Sequence, residues 1–222
     1  MVAKTPKLTQ RRRLQALEAA AEVIAEKGLS ETRVADIAAR AGLSPSLLLY
    51  YFRSKNELLT DALTFAEDRF YLATFHELTE LDDPRARLVR LIDLSCPTDV
   101  EGADVRGDWA LWLELWSRSL LHPEAARKRE ALDRRWRNTI AEIVRAGQDA
   151  GCFDPACDAE DFSLQLAALM DGLALQVVLG DPAVPPARMR RLCTETATKQ
   201  LGFAVPEGRD LVASGKGRGT SR

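Results

Sequence analysis

The sequence predicts an all-α protein of about nine helices, a small N-terminal three-helix unit followed by a larger helical domain. Three observations carry that prediction. Apolar residues recur at i, i+3 and i+4 in segment after segment, strand-like alternation is nearly absent, and Pro, Gly and Asp stand where helices should end. The expected boundaries are an N-terminal unit over 9–69, a second helical domain over 70–203 and a flexible polar tail over 204–222. A chain of 222 residues can bury a substantial core. No repeat of solenoid period is present.

Each helix carries its own start and stop signals. Leu14, Leu17, Ala21 and Ile24 recur at helical spacing, and Gly28 suits a C-terminal stop. Thr32 can cap a short second helix whose Val34, Ile37, Ala38 and Ala41 form one apolar face, and Gly42 permits the left-handed turn that ends it. Ser44 then caps a third helix with Pro45 at its first position, where a missing N–H costs nothing. Ser54 to Glu57 reads as a capping box, opening a fourth helix from Lys55 to about Thr79 through Leu58, Leu59, Ala62 and Leu63. Asp83-Pro84 starts a fifth helix to about Ser95, and residues 97–107 read as a loop. A sixth helix is expected over 108–121, a seventh from Pro123 to about Ala150, an eighth over 161–180 and a ninth from about Pro186 to Gly202.

The net charge of −2 hides an asymmetry. Up to residue 60 there are ten Lys/Arg against six Asp/Glu; the remainder carries 21 against 27. A basic head on an acidic body suggests a polyanion partner for the head alone. No apolar run approaches the ~18–20 residues of a bilayer span, so no membrane partner is expected, and the N-terminus has no apolar signal core. Cys96, Cys152, Cys157 and Cys193 lack CxxC spacing and read as reduced structural thiols, in keeping with a cytoplasmic protein. The only histidines are His76 and His122, without a nucleophile elbow, P-loop or metal-ligand cluster. The expectation is therefore no enzyme, no cofactor and no metal. A helical interaction module that ignores DNA is the other class left, and a gel shift on the protein's own upstream region separates the two.

Three short helices with a tight glycine turn between the second and third form a helix-turn-helix pattern. On the third, Leu48 and Phe52 lie four apart and can pack on the first two helices. Ser44, Pro45, Ser46, Leu47 and Tyr50 are left to project outward, where small hydroxyls at a helix N-terminus suit base edges and phosphates in a major groove. Lys55 and Arg11 to Arg13 fall at expected helix starts, where a cation is unfavourable unless a phosphate offsets it. A solvated basic face on an ordinary bundle is the competing explanation.

Residues from about 9 to 69, with "RVADIAARAGLSPSLLLYYFRSKNELL" at their centre, resemble the DNA-binding domain of TetR-family transcriptional regulators. The resemblance implies that Thr32, Arg33, Ser44, Pro45, Ser46, Leu47, Tyr50 and Lys55 contact a double-stranded operator. It also implies a homodimer, most simply a repressor released by a small-molecule inducer, with an activator as the alternative. Leu47 stands where Thr is common and Leu49 where Tyr is common, so the operator cannot be borrowed from relatives. More loosely, "DWALWLELWSRSLLHPE" is similar to the choline- and pyrimidine-responsive branches of the family.

In the sixth helix, Trp109, Trp112, Trp116, Leu113 and Leu120 share one side at about 100° per residue. The stripe is equally a core or the wall of a ligand cavity able to cup a cation. Glu114 and Arg118, four apart on the other side, are expected to pair. The eighth helix is apolar on two faces, more than one domain's core can use, and the family pairs its eighth and ninth helices into a four-helix bundle across a two-fold axis. Asp171 lies among Leu164, Leu175 and Val178 and needs a cation or a protonated state. An internal partner such as Arg118 or Arg145 is the favoured expectation, and an inducer of cationic or amine character the second.

Overall fold

The computed structural model describes residues 6–96 and 105–206. Among these residues there are nine helices and no strand, as the punctuation predicts: α1 (Pro6–Lys27), α2 (Val34–Arg40), α3 (Pro45–Tyr51), α4 (Lys55–Thr79), α5 (Pro84–Ser95), α6 (Val105–Ser119), α7 (Pro123–Asp149), α8 (Ala159–Val178) and α9 (Pro186–Leu201). Most of the expected 97–107 loop and most of the expected tail lie outside the described residues.

The caps explain the boundaries. Ser44 accepts the Leu47 N–H at 3.2 Å to open α3, and Asp158 accepts the Glu160 and Asp161 N–H groups at 2.9 Å to open α8. Gly42 takes φ +61 at the turn between α2 and α3, a conformation that a side chain would strain. At the start of α4, Ser54 accepts from Glu57 N at 3.1 Å, while the Glu57 carboxylate accepts from Arg53 N at 3.1 Å. The return bond of the expected box thus lands one residue early.

Two cores form. One joins α1 to α3 and the start of α4 through Leu17, Ile24, Ile37, Leu48, Phe52 and Leu58, and it also takes in Leu111 and Leu115 of α6 and Ala125 of α7. The other joins α5, α7, α8 and α9 around Leu88, Ile92, Ile140, Phe162, Met170 and Cys193. Helix α4 runs without a break across the expected boundary at residue 69 and packs on both groups. By length and composition α8 is long and apolar enough to span a bilayer, contrary to the expectation from the sequence, with 33% of that stretch buried in the chain. It is a core helix instead: Phe162, Leu166, Met170 and Ala174 are buried, and it packs on α7 and α9. Cys96 and Cys193 are free and buried, and burial pushes both thiols up to about 12, which keeps them unreactive.

Candidate DNA-reading surface and ligand cavity

The head turns its hydroxyl-bearing face outward. Leu48 and Phe52 are fully buried, while Ser44, Pro45, Ser46 and Lys55 are exposed, Leu47 is half-buried and Tyr50 is 75% exposed. Ser44 Oγ and Ser46 Oγ lie 3.1 Å apart, so one cap also orients the neighbouring hydroxyl. Arg33, exposed, is the residue that precedes α2, and its N–H reaches Asp36 Oδ2 at 3.3 Å.

Two expectations for the head need correcting. Thr32 is 0% exposed and donates its hydroxyl to Gly28 O at 2.7 Å, so it neither caps α2 nor presents its side chain to a groove. Its hydroxyl instead closes the end of α1. Arg11 to Arg13 are not at a helix start, because α1 begins at Pro6. Arg13 bonds Asp61 and donates to Tyr51 O at 3.0 Å, with its guanidinium 4.4 Å from the Phe52 ring centroid. It is a strut between α1, α3 and α4. Lys128 of α7 reaches the same Asp61, tying the head to the second group of helices.

A cavity of about 290 Å³ lies between α4, α6, α7 and α8. Trp109, Trp112 and Trp116 of α6 all line it, so the stripe is a wall. Trp112 and Trp116 meet edge to face at 4.9 Å. Opposite stand Phe70 and Tyr71 of α4 and Trp136 of α7, with Trp136 6.1 Å from Phe70 and 6.4 Å from Tyr71. The sequence reading missed these three residues. Trp136 sits in "RRWRN", and its arginine neighbours hide an apolar position; its spacing of four from Leu132 and from Ile140 betrays a packed face.

Asp171 also lines the cavity, and here the favoured expectation fails. Arg118 donates to Thr60 Oγ1 at 2.6 Å and Asn56 O at 3.0 Å, and Arg145 bonds Glu160; neither reaches Asp171. The expected Glu114–Arg118 pair is absent too, because Glu114 accepts the Leu29 N–H at 3.0 Å. Both side chains reach from α6 into the head. Among the described residues Asp171 has no hydrogen-bond or ion-pair partner. Burial first, and then the nearby Asp133 carboxylate, push its carboxyl up to about 7, against the weaker pull of Arg129 and Arg137. Burial likewise raises Asp133, which bonds Arg129.

The sequence matches the family described as "BetI-type transcriptional repressor, C-terminal" over residues 84–202, and "Bacterial regulatory proteins, tetR family" over residues 16–62. The chain belongs to the TetR family. Similar proteins include the HTH-type transcriptional regulator BetI of Burkholderia thailandensis, 33% identical over 178 residues that span 78% of this chain and 86% of that one. The BetI regulator of Serratia proteamaculans is 30% identical over 199 residues, 88% of this chain and 95% of its own. A transcriptional regulator from Saccharomonospora viridis, solved in complex with choline, superimposes with a TM-score of 0.77 at 33% identity, covering 86% of this chain and 98% of that one. This TetR-family chain is accordingly a DNA-binding transcriptional regulator with a BetI-type ligand-binding domain, and not an enzyme. In such a regulator the two structural results have a common sense. The TetR-type head supplies an outward hydroxyl-rich helix, and α4 and α6 both run from that head to the cavity wall.

Proposed function

We propose that the chain is a homodimeric, cytoplasmic repressor that leaves a pseudo-palindromic operator when a quaternary or other substituted ammonium compound enters the α4–α6–α7–α8 cavity. The observation that carries this is the unpaired Asp171 carboxylate in a cavity walled by four tryptophans. An aromatic cage with one half-buried carboxylate holds a diffuse cation by ring quadrupole and by charge, without demanding hydrogen bonds from it. The choline complex of the Saccharomonospora viridis regulator supports the same ligand class.

Arg33, Ser44, Pro45, Ser46, Leu47, Tyr50 and Lys55 form the DNA surface in this reading, with Ser46 and Leu47 facing base edges and Lys55 and Arg33 facing phosphates. Thr32 acts only by holding the turn before α2. Ligand binding shifts α4, which supplies Phe70 and Tyr71 to the cavity and Lys55 to the head, and α6, which reaches Leu29 through Glu114 and Thr60 through Arg118. A change in either alters the spacing of the two recognition helices. A coupling of about 1–3 kcal/mol weakens operator binding roughly 5- to 150-fold.

The test is a gel shift on the upstream region with choline titrated in, run beside thermal melts with a panel of alkylammonium compounds. Choline or a close relative should raise the melting temperature and release DNA. Neither release nor a melting shift with any compound of the panel would refute the cationic inducer, and failure to bind DNA would refute the operator reading.

A further inference from the structure

We propose that the preferred ligand of this cavity is a zwitterion, with a substituted ammonium at Asp171 and a carboxylate at the guanidinium of Arg137. This rests on the cationic reading above and adds the ligand's other end.

The cations that line the cavity are unequally satisfied. Arg129 is engaged by Asp133, and Arg135 by Asp68 at 2.7 Å with its guanidinium stacked 3.8 Å over Tyr71. Arg137, on the same wall of α7, makes no hydrogen bond or ion pair among the described residues. Glu67 lines the cavity from α4 and has an interaction of its own within the chain. One carboxylate, Asp171, and one guanidinium, Arg137, thus face a shared space, coupled to each other through charge but hydrogen-bonded to nothing among the described residues.

A simple cation satisfies only half of this. It relieves Asp171 but adds positive charge beside Arg137, and a hydroxyl tail offers a neutral acceptor in place of a charged one. A carboxylate tail leaves the charge of the cavity unchanged on binding and accepts from a guanidinium by charge-assisted, bidentate bonds, about twice as strong as neutral ones. Water can fill the acceptor positions as well, and the ranking of ligands separates the two outcomes.

The experiment is calorimetric titration of the full chain with choline, glycine betaine and γ-butyrobetaine, which share a trimethylammonium head and differ in tail charge and spacer. At least one carboxylated compound should bind about tenfold or more tighter than choline. Arg137→Gln should abolish that preference, so that choline and the betaines bind alike, Arg137→Lys should retain part of it, and Asp171→Asn should weaken all binders. Choline binding as tightly as both carboxylated compounds overturns the zwitterion and leaves the cationic inducer standing, with water at the donors. An Arg137→Gln loss that falls equally on choline and the betaines also overturns it. Binding by none of the three removes both readings. Should Arg137→Gln fold poorly, the wild-type ranking alone decides.

Discussion

Asp171 titrates where a cell works, and the direction of its effect on stability is fixed by that. Its carboxyl lies near 7 in the folded chain against an ordinary 3.8. Below about pH 4 both folded and unfolded chains hold the proton. Between about 4 and 7 the unfolded chain releases it and the folded chain does not, so stability falls as pH rises through that window and the loss is complete above 7. Asp171→Asn removes the penalty. Differential scanning fluorimetry of the ligand-free protein should show the Asn variant more stable than wild type by about 1–3 kcal/mol at pH 8, with the gap closing near pH 4. A variant that melts lower at both pH values would mean an internal partner. Only the ionised carboxylate attracts a cation, so choline affinity should rise about tenfold from pH 6 to pH 8. The sequence showed that Asp171 needs a cation or a proton, because an acid among Leu164, Leu175 and Val178 is visible in one dimension. Which arginine stays away from it is a tertiary matter. Thr32 was misjudged for a related reason: a Thr before a helix suits a cap, and nothing local says that its hydroxyl turns back to Gly28 O.

At the scale of the element, helix ends were legible and helix faces less so. Caps are made by residues within three positions of one another, so Ser44, Ser54, Asp83 and Gly42 announce themselves. The start of α6 at Val105 lies three residues before the expected 108: the sequence has Asp104 there, but Gly102 and Gly107 around it read as loop. The i, i+4 rule likewise paired Glu114 with Arg118, while the packing of α6 on α1 and α4 offers each a partner in the head. Gly147 is another position that only packing explains. It lies inside α7, and a Cβ there would stand 2.0 Å from the ring of Phe153, itself packed at a tilt against Phe203 with ring centroids 5.0 Å apart. The glycine lets the turn after α7 fold its aromatic ring onto the helix. Gly147→Ala gains about 1 kcal/mol of helix propensity but forces that ring out of a buried site, an overpacking cost of about 1–3 kcal/mol or more. The expected net result is a melting temperature lower by a few degrees, with choline affinity and operator sequence preference unchanged. A higher melting temperature would mean that Phe153 relocates freely.

For the whole molecule, the proposed homodimer joins the basic head, the apolar α8 and the cavity across two copies of the chain. If Lys55, Arg33 and Arg11 meet phosphates in each subunit, about six charges are neutralised per dimer, and log K should fall with log salt at a slope of roughly −5. Arg13 is excluded from that sum by its bond to Asp61. Lys55→Ala should flatten the slope by about 2 and weaken all sequences alike, whereas Ser46 or Leu47 substitutions should change sequence preference. The dimer itself is tested best at Gly172. Helix α8 leaves Leu164 54% exposed and Ala168 and Gly172 exposed, an apolar strip that a single chain does not cover. A Cβ at Gly172 meets nothing within 4 Å, so a long side chain there fits the lone chain without strain and gains about 1 kcal/mol of helix propensity. Across a two-fold axis the same change places a cation from each copy in a tightly packed apolar seam. Gly172→Arg should therefore sediment as a folded monomer at micromolar concentration and lose high-affinity operator binding, because one head contacts one half-site. Choline binding should survive, since each chain carries its own cavity. A dimeric Gly172→Arg with unchanged operator affinity would move the interface off this face of α8.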